Sequence, residues 1–122
     1  MDADELLRRY AAGERDFIGA NLTRAKLIRA NLVGVNLWGA SLIGANLARA
    51  KLWGANLSGA NLAKANLTLA NLSGANLSEA NLRQAKLNNV KLYGANLSGA
   101  YYDESTRFSK DFDPISRNMR KV

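Results

Sequence analysis

The sequence predicts an all-β solenoid: a parallel β-helical column of about four coils, each coil four-sided, with an N-terminal α-helical cap and a short C-terminal tail. Three observations carry this. From Leu22 to Leu97 every fifth residue is Leu, sixteen in succession. Ala stands two residues before each Leu, with Val35 and Val90 as the exceptions. Nine glycines stand two residues after a Leu or its equivalent, and eight of them sort into two columns on a period of 20.

A period of five fits neither regular element. On an α-helix each successive Leu moves round by about 140°, so no single apolar face forms. On a flat strand an odd period sends alternate Leu residues to opposite faces. All sixteen point inward only if the chain turns a corner in every repeat, closing a short-sided coil around its own core.

The glycines set the number of sides. The second residue after Leu is the third residue of the corner turn, where a type II turn needs φ > 0 and favours Gly. Gly34, Gly54, Gly74 and Gly94 form one column on a period of 20; Gly19, Gly39, Gly59 and Gly99 form the next, interrupted by Glu79. Periods of 15 or 25 scatter them. Four sides per coil follows.

Asn precedes the Leu in eleven of the sixteen repeats, with Lys26, Ser41, Lys51, Lys86 and Lys91 in the others. Recurring Asn at one position suggests amides bonded to the corner backbone or to one another in ladders. Coils are expected to stack at about 4.8 Å, making a body roughly 20 Å long.

Open column ends expose unpaired backbone and therefore need caps. Asp2 and Glu5 have capping-box spacing ahead of Leu6, Leu7, Tyr10 and Ala11, and Gly13 is placed to end the helix. This predicts a helix over residues 2–12, a capping region 1–14, a repeat body 15–102 and a tail 103–122. Phe17 and Tyr102 fill the Leu slot at the two ends, and Tyr101, Tyr102, Phe108 and Phe112 are expected to cover the last coil before Pro114.

Composition narrows the function. The chain has no Cys and no His, which removes disulfides, thiol chemistry and the commonest general base and metal ligand. The repeat body holds one carboxylate, Glu79, so no acid/base pair or metal cluster forms inside it. Asp103 and Glu104 pairing across the tail with Asp111 and Asp113 would have the composition of a cation site, but solvated or capping carboxylates are the better expectation. Its glycines follow the corner period and cradle no phosphate. Neither an enzyme nor a cofactor is expected. The acidic start, Met1-Asp2-Ala3-Asp4-Glu5, has no apolar run after it, and no stretch nears the roughly 18 apolar residues of a membrane span. A cytoplasmic protein without a membrane partner is expected.

The unit A-N-L-x-x, as in Ala55-Asn56-Leu57-Ser58-Gly59, resembles the pentapeptide-repeat family over about 86 residues. The end segments Glu5–Phe17 and Tyr102–Phe108 look like those of cyanobacterial members. The resemblance implies a right-handed quadrilateral β-helix. Some members of that family resemble DNA in shape and charge and act on DNA gyrase, a mechanism that needs an acidic column. Here nine basic residues face one carboxylate between Phe17 and Tyr102, a net charge of +8. DNA mimicry is therefore not expected.

Sorted by face, the outward residues divide the column in two. An aromatic, glycine-lined side carries Trp38, Trp53, Val33, Tyr93 and Ile18. A basic side carries Arg24, Lys26, Arg29, Arg49, Lys64, Arg83 and Lys86. Exposed Trp is typical of binding hot spots, so docking of another protein through the aromatic side is the preferred reading. Cover by the N-terminal helix or a neighbouring chain is the structural alternative. The second functional reading is electrostatic binding of nucleic acid or an acidic partner through the basic side. With both ends capped, a monomer is expected.

Overall fold

The computed structural model describes all 122 residues. Fourteen parallel bridges join the body, from Asp16↔Asn36 to Asn81↔Tyr101, and every one pairs residues 20 apart. An offset of four five-residue repeats means four sides per coil, as the glycine columns require.

Each corner is a hydrogen-bonded turn. The Ala60 N–H donates to the Leu57 carbonyl at 3.0 Å, and the same bond recurs at every corner from Phe17 to Ala100. The residue before the Ala has φ between 56° and 72° at all seventeen corners, the mark of a type II turn. Nine of these residues are Gly; the others are Arg24, Arg29, Arg49, Lys64, Leu69, Glu79, Gln84 and Asn89.

Layers are joined along each side. The Leu57 N–H donates to Asn76 O at 2.7 Å, and Asn76 N–H returns to Ala55 O at 2.9 Å. All eleven repeat asparagines turn Oδ1 inward to accept the N–H two residues on, as Asn56 does from Ser58 at 3.0 Å. Asp16 does the same for Ile18. These are Asx turns that fix the corner. No Asn–Asn bond links the layers, so the corner bond and not the ladder is the role of this residue.

The core is a single stack of buried Leu and Ala, closed by Phe17 and Tyr102. Leu92 alone of the sixteen is only half-buried. It lies on the last layer, where no further coil covers its side.

Helix α1 (Ala3–Ala11) caps the N-terminal end and buries Leu6 completely. Asp2 caps it by accepting the Glu5 N–H at 2.8 Å. Only this half of the expected capping box forms, because Glu5 reaches forward to Arg9 at 3.3 Å instead of back to Asp2. At its C-terminus Gly13 N–H donates to Tyr10 O and Glu14 N–H to Arg9 O, a Schellman motif with Gly13 at φ 102°.

The C-terminal tail continues the column out of step. Strand β1 (Lys86–Leu87) pairs in parallel with β3 (Arg107–Phe108), and β2 (Tyr101–Tyr102) with β4 (Arg120–Lys121), at offsets of 21 and 19. Between them lies a short 3-10 helix, Ile115–Arg117. Phe108 stacks on Phe112 at 4.6 Å and meets Tyr102 edge-on at 5.6 Å, forming the expected cover. Tyr101 does not join it. Standing one residue before the Leu slot, it points outward, with the guanidinium groups of Arg83 and Arg120 at 6.0 and 5.6 Å from its ring.

Candidate interaction surfaces

The constant offset of 20 assigns every outward residue to a side. Side 1 contains the buried Phe17, Leu37, Leu57, Leu77 and Leu97; sides 2, 3 and 4 follow in chain order, so sides 1 and 3 are opposite.

Side 1 has Asp16, Asn36, Asn56, Asn76 and Asn96 along its middle. One bounding corner carries Ile18, Trp38, Ser58, Ser78 and Ser98; the other carries Val33, Trp53, Ser73 and Tyr93. Trp38 lies in the layer after Ile18, and Trp53 in the layer after Val33. Helix α1 leaves both tryptophans open, at 51% and 50% exposure. The neighbouring glycines, from Gly19 to Gly59 and from Gly34 to Gly74, keep both corners low around them. Tyr93 does not belong to this group. It stands two layers beyond Trp53, past Ser73, and is 89% exposed. The other four residues share the first layers of the column.

Side 3 is bounded by the corners of Arg24 and Arg29. Its middle column is Lys26, Asn46, Asn66 and Lys86, and the shifted pairing of Lys86 with Arg107 extends that column by one residue. Arg107 was not recognisable from the repeat, because the extra tail residue puts it out of register. Arg24 and Lys64 share one corner column, with the Arg24 stem lying over Gly44: a Cβ on Gly44 would sit 3.5 Å from Arg24 Cγ. Arg83 projects from the same corner, and Arg29 and Arg49 occupy successive layers of the other. Exposed Ile28 and Leu69 lie at that second corner. None of the seven predicted basic residues forms an ion pair; the three pairs in the protein are Arg9–Glu5, Arg9–Glu14 and Arg120–Glu79. Asp2 and Asp4 line a cleft of about 360 Å³ with Arg24 and Lys26 at the first coil, without contacting them as pairs.

Two of the tail carboxylates, Asp103 and Asp113, act as turn caps. Burial pushes the Asp103 carboxyl up, but the Gln84 and Ser105 N–H groups and Thr106 outweigh it and hold it below its ordinary value. Asp103 thereby takes the Gln84 N–H at 3.1 Å, a group that donates to a coil carbonyl elsewhere in the body. Asp113 accepts the Ile115 N–H at 3.0 Å. No three acidic side chains converge as a metal site. At the same end, Arg117 donates to Leu92 O and Ala95 O at 3.1 and 3.0 Å, filling in for a missing coil.

A family model described as pentapeptide repeats matches residues 16–39, 40–78 and 65–101, in 8 copies. No curated protein gives a significant sequence match. Among solved structures, the chain is similar to the Nostoc PCC 7120 pentapeptide repeat protein alr5209, with 38% identity and a TM-score of 0.84 over 99% of this chain and 96% of that one. It is also similar to Rfr23, a pentapeptide repeat protein from the cyanobacterium Cyanothece 51142, with 44% identity and a TM-score of 0.76. That match covers 76% of this chain, which spans 63% of Rfr23. The shared fold is the right-handed quadrilateral β-helix.

Proposed function

We propose, from the premise that this chain belongs to the pentapeptide-repeat family, that it is a non-enzymatic interaction module that docks another protein through side 1. The observation supporting this reading is the pair of half-exposed tryptophans, Trp38 and Trp53, on opposite edges of one glycine-bordered side. A large apolar ring left in water on a rigid support loses little conformational entropy on binding. Its burial then contributes nearly its full hydrophobic free energy, which is why Trp is enriched among hot spots. Ile18 and Val33 extend the apolar area beneath the two rings. The asparagines between them hold their corners through Oδ1 and keep Nδ2 hydrogens for polar contacts at the rim.

The test is a pull-down from source-cell lysate under nuclease, comparing the wild type with a Trp38→Ser/Trp53→Ser variant. A protein retained by the wild type and lost by the variant supports docking through side 1. Equal retention by both chains sinks the reading.

A further inference from the structure

We propose that side 3, opposite the tryptophans, is a sequence-independent binding surface for a nucleic-acid phosphate backbone. The inference is independent of side 1 and rests on four observations. First, the surface has one kind of hydrogen-bonding charge: Arg24, Lys26, Arg29, Arg49, Lys64, Lys86 and Arg107 lie on it, with Arg83 at its border. Between Asp4 at one end and Asp103 at the other it carries no carboxylate. Second, none of these cations is spent on an ion pair within the protein.

Third, four of them stand where their backbone is least comfortable. Arg24, Arg29, Arg49 and Lys64 have φ of 59° to 63°, the left-handed region that Gly adopts freely and other L-residues resist. On side 1 the equivalent corners are Gly at every layer except that of Glu79. Seven of the eight corners of side 3 are not Gly: four hold Arg or Lys, and Leu69, Gln84 and Asn89 hold the rest, so much of the charge on this side stands at positions that Gly would occupy without strain.

Fourth, the neutral residues of the middle column are also donors. Asn46 and Asn66 commit Oδ1 to the N–H groups of Ala48 and Thr68 at 3.1 and 3.0 Å, and neither amide Nδ2 donates to any protein group. The Asx turn therefore presents the NH2 outward. The result is a straight strip of fixed amides and mobile cations running along the column axis, suited to a linear polyanion. Its aromatic neighbour, Tyr101, is already flanked by Arg83 and Arg120, so base stacking contributes little and backbone contacts dominate.

The same strain supplies a clean experiment, because Gly is the relaxed residue at these corners. An Arg29→Gly/Arg49→Gly/Lys64→Gly variant removes three charges without disturbing the turn. Binding of a fluorescently labelled mixed-sequence oligonucleotide is measured by anisotropy across a salt series, beside thermal melting and binding to phosphatidylserine vesicles. The wild type is expected to bind the oligonucleotide, with the variant at least tenfold weaker and melting no lower. The slope of log K against log salt should flatten by about 2 to 3. The Trp38→Ser/Trp53→Ser chain should bind like the wild type. No oligonucleotide binding at low salt, equal binding by the glycine variant, or binding to vesicles alone would each overturn the proposal.

Discussion

The hydroxyl of Tyr10 donates to the main-chain carbonyl of Val33 at 2.7 Å. In later coils the equivalent carbonyl, such as that of Trp53, accepts the N–H of the layer before it. Tyr10 therefore stands in for a coil that does not exist and ties helix α1 to the first layer. A Tyr10→Phe variant keeps the ring and loses the bond, and is expected to cost about 0.5–1.5 kcal/mol. Chemical denaturation of the two chains measures this, and amide exchange should show the loss concentrated in helix α1.

The core is tight in the middle and loose at one end. Leu57 is fully buried between complete layers, so Leu57→Ala leaves a cavity and should destabilise the protein by about 2–5 kcal/mol. Leu92 is half-buried beside a cleft lined by Val90, Phe108 and Phe112. Leu92→Ala should cost clearly less in the same denaturation experiment; equal losses would mean that the tail closes this end more completely than the geometry shows.

Leu69 is exposed with φ of 62°, a conformation costing a branched residue roughly 1–2 kcal/mol, part of which Gly returns as unfolded-chain entropy. Leu69→Gly should leave the melting temperature unchanged or raise it. Gly54→Ala is the converse. A Cβ there meets nothing within 4 Å, so any loss of stability on this change comes from φ of 70° alone.

Asp103 sets an acid limit on the tail. Its carboxyl is held below the ordinary value by the Gln84, Ser105 and Thr106 donors, which prevail over burial. A depressed folded value means that the ionised carboxylate stabilises the fold above its unfolded pKa of 3.8, and that this contribution disappears as pH falls through the folded value. The protection of the Gln84 and Ser105 amides, taken relative to their intrinsic exchange rates at each pH, should fall in that window. Asp103→Asn should exchange faster at neutral pH and respond less to acid.

Much of this molecule is written in single residues of its sequence. The Leu period demands a corner every five residues, and the two glycine columns make the coil four-sided; the uniform offset of 20 repeats that arithmetic. Corner slots determine which residues share a side, so the separation of Trp38 and Trp53 from Arg24, Arg29, Arg49 and Lys64 was legible before any coordinates. These are consequences of steric and hydrophobic patterning, which act locally and repeat.

Tertiary structure decided what the repeat does not constrain. Glu5 pairs with Arg9 and not with its capping partner, because Arg9 and Glu14 offer a competing charge network once the helix meets the coil. The tail pairs at offsets of 21 and 19, since the chain after Tyr102 lacks the five-residue rhythm and follows whichever backbone groups the last layer leaves open. That shift aligns Arg107 with Lys86, and it brings Arg117 to the carbonyls of Leu92 and Ala95. The period thus determined the column and its faces by itself. Its two ends, where unpaired groups must be satisfied by whatever side chains can reach them, were settled only in three dimensions.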